Sequence, residues 1–281
     1  MTASINSRVK SANLTDTERE AVGLIIQDVD NMVFLNSFQI AERCGVSPAF
    51  ITRLTRKLEY ASFKEFKNDL NSLYKKSVNS YDLFQSYLDK GVNNDIVADT
   101  LTQDMNNITA MEQMLDKRTL NGVVNKIINA ETVYMASMFG SEIITKALSW
   151  YLWRLGKQVV NLTGVGVSQK VKYSHMGEKD LLIAVSSLRV FREVFESVVI
   201  AKERGTDTVA ITDNPTNPLA TECDLTLFSP VKGIAIDNTH AATLLMIDIL
   251  VNSVAAKMPN AVAETLAREE NNERDEKIFC L

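Results

Sequence analysis

The sequence predicts two domains of different class, an N-terminal bundle of α-helices and a C-terminal α/β domain with a doubly wound parallel sheet. Up to about residue 77, apolar residues recur at helical spacing. From residue 132 onward, short apolar runs of strand length alternate with segments of helix length. With 281 residues, of which 46% are hydrophobic, the chain has enough apolar material for one core in each domain.

The first helix of the bundle is predicted to begin at a capping box, in which Thr15 is followed by Glu18 three residues later. An apolar stripe continues this helix, and a later stripe predicts another helix that ends near Ser77. The first stripe consists of Val22, Ile25, Ile26, Val29 and Met32, and the later one of Phe63, Phe66, Leu70 and Leu73. Together they indicate a compact helical bundle over residues 1–77.

Between these segments, residues 37–57 read SFQIAERCGVSPAFITRLTRK and predict two short helices joined by a tight turn. Ser37 is the predicted N-cap of the first helix, and Gly45 ends it where the backbone needs a positive φ. Ser47 and Pro48 start the second helix, as an N-cap hydroxyl and a proline at the first helical position. Apolar residues at helical spacing close the pair over a small core.

The second of these helices carries Thr52, Arg53, Arg56 and Lys57 on the side away from its apolar residues. Guanidinium groups bind guanine edges, and cations and hydroxyls bind phosphates, so this pattern is typical of a recognition helix in the DNA major groove. The residues that we expect to contact DNA are Ser37, Gln39, Ser47, Ala49, Phe50, Thr52, Arg53, Arg56, Lys57 and Lys64.

Positive charge is concentrated around this helix pair. Residues 43–76 hold eight Lys or Arg against three acidic residues, whereas the whole chain carries a net charge of −5. A basic domain in an acidic protein favours double-stranded operator DNA as its partner. The alternative is a helical hairpin with a solvated basic face. The eight basic residues are Arg43, Arg53, Arg56, Lys57, Lys64, Lys67, Lys75 and Lys76.

After the bundle, residues 78–94 read as a polar link with some helical character. A long amphipathic helix follows from Ile96 to Leu115, and a shorter one covers Leu120–Ile128. The methionines of this region are expected to pack in the core or against another subunit.

The α/β domain is predicted to contain five strands, of which the third is apolar throughout, as expected for a strand buried on both faces. The strand segments are TVYMASM, QVVNL, DLLIAVS, DTVAIT and DLTLFS, and the helices are expected over residues 140–155, 190–204 and 239–257. Gly205 is the predicted C-cap of the second of these helices. The tail AREENNERDEK is expected to be a frayed helix or disordered.

Several classes of protein are not expected from the composition. Cys44, Cys223 and Cys280 show no metal-ligand spacing, and an odd number of scattered cysteines fits a reducing cytosol better than a disulfide framework. The N-terminal residues lack the apolar core of a signal peptide, and no apolar run has the length of a membrane span. We expect a soluble cytoplasmic protein with no metal, no cofactor and no membrane partner.

Two segments resemble a known family. Residues 37–70, SFQIAERCGVSPAFITRLTRKLEYASFKEFKNDL, are similar to the helix-turn-helix domain of the RpiR family of bacterial transcriptional regulators. Residues 200–230, IAKERGTDTVAITDNPTNPLATECDLTLFSP, resemble the sugar isomerase (SIS) domain that this family carries. The resemblance implies a DNA-binding domain over 1–77, a linker over 78–94, an effector-binding and dimerisation domain over 95–260, and a charged tail over 261–281.

The resemblance also implies a function. In such regulators the SIS domain is not usually an enzyme but binds a phosphorylated sugar, and binding changes the affinity for operator DNA. The expected partners are therefore operator DNA and a small anionic metabolite. The expected assembly is a homodimer or a dimer of dimers, because helix-turn-helix proteins usually read two half-sites.

This sequence departs from the family at the phosphosugar site. The family has Gly-x-Gly-Ser-Ser after the first strand and Ser-x-Ser-Gly-x-Thr after the third, both at helix N-termini. Here residues 137–141 read SMFGS and residues 186–191 read SSLRVF, so Phe139, Leu188 and Phe191 replace small residues. The residues expected to bind the effector are Ser137, Gly140, Ser141, Ser186, Ser187, Arg189, Arg192 and His240.

Several interpretations stay open at this stage. Arg189 and Arg192 could supply charge to the effector, or could be solvated helix-start residues or form subunit salt bridges. His175 and His240 could touch the effector, although a surface or core histidine is the commoner case. Trp150 and Trp153 are expected to pack at a subunit interface.

Two other functions compete with the effector-responsive regulator. In the first, the SIS domain of a DNA-binding protein only dimerises. The second is a sugar-phosphate isomerase. The residues available for such an isomerase (Glu178, Glu193, His175 and His240) form no recognisable catalytic constellation in the sequence.

Overall fold

The computed structural model describes residues 5–77, 80–89, 95–162 and 171–276. The chain divides into two compact units, one formed by residues 1–106 with 232–239 and the other by residues 107–231 with 240–281.

The first unit is built from helices, as predicted. Its core contains Ile25, Ile40, Leu54 and Phe66, all fully or almost fully buried. The helices are α1 (Ile5–Ser11), α2 (Asp16–Gln27), α3 (Val29–Met32), α4 (Ser37–Arg43), α5 (Pro48–Lys57), α6 (Phe63–Ser77), α7 (Ser80–Asp89) and α8 (Ile96–Met114), the last of which continues into the second unit.

Three features of this unit differ from the sequence prediction. Helix α1 was not predicted, and helix α7 lies within the segment interpreted as a polar link. The first apolar stripe is also divided between two helices. Helix α2 ends at Gln27 with Asp28 as its C-cap, so Val29 and Met32 belong to the short helix α3.

The second unit contains a parallel five-stranded sheet in the order β2-β1-β3-β4-β5, which confirms the doubly wound fold. The central strand β3 is buried over its whole length, as its uniform apolar sequence predicts. The strands are β1 (Thr132–Ala136), β2 (Gln158–Asn161), β3 (Leu181–Val185), β4 (Asp207–Thr212) and β5 (Leu225–Phe228).

Helices cover both faces of this sheet and form two separate cores. On one face, Met135 and Ile183 pack with Ile247 of the helix Ala241–Lys257. On the other face, Leu182 and Ala210 pack with the helix that follows β3. The helices are α9 (Lys117–Asn129), α10 (Glu142–Arg154), α11 (Arg192–Glu203), α12 (Pro218–Glu222), α13 (Ala241–Lys257) and α14 (Pro259–Glu276).

The charged C-terminal segment is more ordered than its composition indicates. Helix α14 extends to Glu276, and Glu269 accepts a 3.0 Å hydrogen bond from Nε of Arg154 in α10. Residues 277–281 lie outside the described residues. No single helix of the described ranges has the length and hydropathy to cross a membrane. Only α13 and the first part of α14 meet that criterion together, as a pair bent by 106°.

Candidate functional site

The helix pair α4 and α5 begins at a well-defined cap. The Asn36 side chain accepts hydrogen bonds of 3.0 Å from the backbone N–H groups of Phe38 and Gln39, and the Gln39 side chain accepts from Asn36 N–H at 2.9 Å. Asn36 is therefore the N-cap, and the prediction of Ser37 for this role is wrong by one residue. Asparagine is at least as good an N-cap as serine, and only Asn36 has a glutamine three residues later to complete a capping box.

The turn between the two helices has the predicted geometry. Gly45 has a φ of 66°, and the next residue, Val46, donates a backbone hydrogen bond of 2.9 Å to Ala41. Ser47 Oγ accepts a 3.2 Å hydrogen bond from Phe50 N–H, and Pro48 is the first residue of α5. The relation of the two helices is thus set by a left-handed glycine and a side-chain cap.

The outer face of α5 presents Arg53 and Arg56 to solvent, whereas Ile51 and Leu54 on the opposite side are buried. Neither guanidinium has an acidic partner among the described residues. The other expected DNA contacts differ in their exposure and in their hydrogen bonds. Ala49, Thr52 and Lys64 are exposed, Phe50 and Ser37 are half-buried, Gln39 and Ser47 serve as caps, and Thr52 donates to Pro48 O.

Two other cations of this region are engaged in ion pairs. Lys57 Nζ lies 2.5 Å from Glu18 Oε2, and Arg43 Nε lies 2.7 Å from Asp28 Oδ2. The hydrogen bond from Lys57 lowers the pKa of Glu18. Lys57 therefore reaches a phosphate only if it leaves this carboxylate.

Lys67 is not part of the basic surface, and its interpretation as an exposed cation is wrong. Lys67 is only 9% exposed, and its Nζ donates hydrogen bonds to the carbonyl oxygens of Met32 (3.1 Å), Leu35 (2.7 Å) and Val33. These carbonyls lie at the end of α3, immediately before the cap of α4. Burial lowers the pKa of Lys67 to about 7. The side chains of Lys75 and Lys76 lie outside the described part of the chain.

Arg8 performs a similar structural task at the end of α5. Its Nη1 donates to the carbonyl oxygens of Leu58 (3.1 Å) and Glu59 (2.7 Å), and its guanidinium lies 4.3 Å from the centre of the Tyr60 ring. Glu59 has a φ of 62°, so the chain leaves α5 through a left-handed non-glycine residue. This role of Arg8 was not predicted, because its contacts join residues about fifty positions apart.

In the second unit, the strand order puts the topological switch point of the sheet, here called the crevice, at the carboxyl ends of β1 and β3. In parallel sheets of this topology, ligands bind where the connections from two neighbouring strands run to opposite faces of the sheet. Here that point lies between β1 and β3. Their ends are adjacent, since Ala136 pairs with Ala184. The loops that follow, residues 137–141 and 186–191, contain the four serines that are expected to bind the effector.

Two serines of these loops are turned inward. Ser137 Oγ lies 2.6 Å from Thr145 Oγ1, and Ser186 Oγ donates a 2.8 Å hydrogen bond to Arg189 O. Both serines are buried, whereas Ser141 and Ser187 are half-buried. Of the four serines expected to bind an effector, the latter two are the more accessible.

The charged residues of the crevice differ in their surroundings. Arg192 is largely exposed and its Nε lies 2.8 Å from Glu196 Oε1. Arg189 is exposed and has no acidic partner among the described residues. His240 precedes α13. Its Nε2 would lie 3.6 Å from a Cβ atom added at Gly140, which is ordinary van der Waals contact. The structure therefore brings His240 to the loop after β1, as expected.

A buried carboxylate supports the loop after β3. Asp213 is fully buried, and its Oδ1 accepts hydrogen bonds from Leu188 N–H (2.9 Å) and Asn217 Nδ2 (3.2 Å). Its Oδ2 accepts from Asn214 Nδ2 at 2.7 Å. This network holds the loop at Leu188, whose φ is 61°.

His175 lies near the amino ends of the strands, away from the crevice, which does not support the alternative in which it touches the effector. Its neighbour Ser174 accepts a hydrogen bond from Arg204, and Gly177 accepts one from Thr206. Both donors directly precede β4 and therefore mark the amino ends of the strands.

The comparisons with known proteins agree with this two-part architecture. The model of the helix-turn-helix domain of the rpiR family matches residues 1–77, and the model of the SIS domain matches residues 126–253. An uncharacterised HTH-type transcriptional regulator of Clostridium perfringens is 27% identical over 206 residues, which are 73% of each chain. One of Providencia stuartii is 24% identical over 204 residues, 70% of this chain and 69% of the relative.

Two solved structures share the fold. The sugar isomerase domain of an RpiR transcription factor from Sphaerobacter thermophilus has a TM-score of 0.62 and 22% identity, and the match covers 63% of this chain and 99% of that one. The Vibrio vulnificus NanR protein, solved in complex with ManNAc-6P, has a TM-score of 0.58 and 20% identity, and the match covers 99% of this chain and 100% of NanR.

Proposed function

Because this chain belongs to the RpiR family of helix-turn-helix transcriptional regulators, we propose that an anionic metabolite resembling a sugar phosphate controls its binding to operator DNA. In this proposal α5 reads the operator, the SIS domain binds the metabolite at the carboxyl ends of β1 and β3, and the regulator acts in the cytoplasm. The regulated genes serve sugar or amino-sugar metabolism.

The observation that carries the DNA-binding proposal is the pair Arg53 and Arg56. They are exposed one helical turn apart on the outer face of α5 and have no acidic partner in the described structure. By contrast, Lys57 and Arg43 are held in ion pairs, and Lys67 is buried. Two unpaired guanidinium groups on the second helix of a helix-turn-helix are suited to bidentate contacts with guanine.

The effector proposal is supported by the chemistry of the crevice. Neither α10 nor α11, which begin after β1 and β3, has a side-chain cap at its N-terminus. Uncapped N–H groups at a helix N-terminus favour an anion, and the exposed Arg189 adds positive charge beside them. In this proposal Ser141, Ser187 and His240 donate hydrogen bonds to the same ligand. The NanR complex with ManNAc-6P supports a ligand of this class on a chain of the same fold.

We propose that the protein is a homodimer or a dimer of dimers. On α8, Val97, Leu101 and Met105 repeat every four residues and are each at least 60% exposed. Trp150 and Trp153 of α10 are also exposed. Apolar surface of this kind is typical of protein interfaces. Dimerisation would place two copies of α5 on two half-sites.

Of the four residues considered for an isomerase, two lie away from the crevice. Glu178 packs against Gly205, near the amino ends of the strands, and His175 lies at the same edge. Neither is near the crevice. The alternative in which the SIS domain only dimerises is favoured by one observation, which is that Ser137 and Ser186 are bonded within the protein.

A ligand panel distinguishes these functions. We expect phosphorylated hexoses or amino sugars to raise the melting temperature of the full chain, because a ligand at 100 times its Kd stabilises the native state by about 2.7 kcal/mol. The same ligands should change the affinity for an operator selected from genomic fragments. Arg189→Ala and Ser141→Ala should weaken this response and leave the affinity for DNA without ligand unchanged. Absence of any shift across the panel would favour the SIS domain as a dimerisation device.

A further inference from the structure

The loops at the crevice contain an unusual pair of backbone conformations. Only Glu59, Phe139 and Leu188 among the described non-glycine residues have a positive φ. Phe139 (53°) follows β1 and Leu188 (61°) follows β3, so two of the three lie at the same crevice. Residues other than glycine avoid this region because their Cβ is crowded, and such residues concentrate at ligand-binding sites.

The left-handed backbone at Phe139 accompanies an aromatic contact across the crevice. The rings of Phe139 and Phe191 lie with their centroids 4.9 Å apart and their planes at 44°. Phe139 comes from the loop after β1 and Phe191 from the loop after β3. The contact therefore joins the two elements that the proposed effector would touch.

Both rings are accessible, since Phe139 is 67% exposed and Phe191 is 37% exposed. Burial in the protein core therefore does not account for them. Phe191 is also the N-cap residue of α11 and gives that helix no side-chain cap. An apolar side chain is thus placed at a position where serine, threonine or asparagine is usual.

From this juxtaposition we infer that Phe139 and Phe191 form an aromatic surface that selects sugar phosphates in their cyclic form. The inference rests on the proposed function, because it assigns the specificity of the same crevice. A pyranose ring presents a face of C–H groups that packs on an aromatic ring, whereas an open-chain polyol presents no such face. The phosphate of the ligand would lie at the uncapped N-termini of α10 and α11.

The test uses pairs of ligands in which one member closes to a ring and the other, reduced at C1, cannot. Hexose 6-phosphates and 2-acetamido-hexose 6-phosphates are compared with the open-chain alditol phosphates that borohydride reduction makes from them, and inorganic phosphate is the third probe. Calorimetry on the full chain gives the affinity of each probe. The variants are Phe139→Gly, which also suits the backbone conformation, and Phe191→Ala. The control is Phe38→Ala, a substitution of an equally exposed phenylalanine in α4.

We expect the parent chain to bind the cyclic member of at least one pair ten-fold or more tightly than the open-chain member. Each crevice variant should bring this ratio close to one and leave the affinity for inorganic phosphate unchanged, while Phe38→Ala keeps the parent ratio. Equal affinity for both members in the parent, or a ratio that survives both variants, would overturn the inference and leave the effector proposal intact. Tighter binding of both members by the variants would show that the rings occlude the site, which also overturns it. If neither parent nor variants bind any probe, the effector proposal fails as well.

Discussion

The carboxylate of Asp213 accepts a hydrogen bond of 2.9 Å from the backbone N–H of Leu188, and through it the turn after β4 holds the loop after β3. Leu188 itself has the left-handed conformation, and regular secondary structure offers its N–H no partner. The bond therefore connects the core of the sheet to the loop in which Arg189 and Phe191 stand.

Replacing this carboxylate should be costly. Asp213→Ala removes the acceptor of Leu188 N–H and of the buried amides of Asn214 and Asn217. A buried donor without a partner costs about 1–3 kcal/mol, so we expect the free energy of unfolding in urea to fall by at least that amount. Glu203→Ala, at an exposed residue of α11, is the control and should change it by less than about 0.5 kcal/mol. Equal stability of the two variants would show that the network contributes nothing.

Glycine at position 59 should stabilise the helical unit. Glu59 is exposed and has a φ of 62°, a region that costs an L-residue about 1–2 kcal/mol and glycine almost nothing. After subtraction of the greater chain entropy of unfolded glycine, we expect Glu59→Gly to raise the free energy of unfolding by about 0.5–1 kcal/mol. Glu42→Gly introduces glycine at an exposed position inside α4. This substitution should instead lower the free energy of unfolding by about 1 kcal/mol.

Lys64 and Lys67 should respond differently to the same substitution. Lys67→Met leaves the carbonyls of Met32, Val33 and Leu35 without their common donor, so thermal unfolding should show a clear loss of stability. Lys64→Met should retain stability and weaken binding to DNA of any sequence, with a smaller dependence on salt. The opposite outcome, a stable Lys67 variant with weaker DNA binding, would show that Lys67 belongs to the DNA-binding basic surface.

The burial of Lys67 also predicts a dependence of stability on pH. Its pKa is lowered from 10.5 to about 7 in the folded chain, so between these values the unfolded chain binds more protons than the folded chain. Stability should therefore rise with pH in this window, and the contribution is lost as the pH falls through about 7. Denaturant titrations of the parent and of Lys67→Met at pH 6.5 and pH 9 should show a steeper rise in the parent. Parallel profiles would indicate that the amine keeps its ordinary pKa.

Local rules of sequence were sufficient for much of the fold. The capping box at Thr15, the left-handed Gly45 and the cap formed by Ser47 and Pro48 depend on residues within one helical turn of each other. The five strands followed from the length and spacing of their apolar runs. These features were predictable because each is determined by neighbours in the chain.

The features that were missed depend on contacts between distant residues. Lys67 has the position of a surface cation in its own helix, and only the carbonyls of residues 32–35 make it an interior residue. The clamp of Arg8 on the end of α5 and the ring contact of Phe139 with Phe191 are of the same kind. The place of His175 was left open, because its distance from β2 in the sequence does not determine at which end of the strands it lies. The roles of the individual DNA and effector contacts remain predictions.

The recognition role of α5 is tested most directly by titrating a selected operator with the full chain, Arg53→Ala and Arg56→Ala at matched salt. Each substitution should cost about 1–3 kcal/mol of specific binding and reduce discrimination against changed base pairs, since both guanidinium groups face away from the core. Arg43→Ala, in which the lost cation was paired with Asp28, is the matched control and should bind nearly as the parent does. Operator affinity and specificity equal to those of the parent in both α5 variants would contradict the assignment of α5 as the recognition helix.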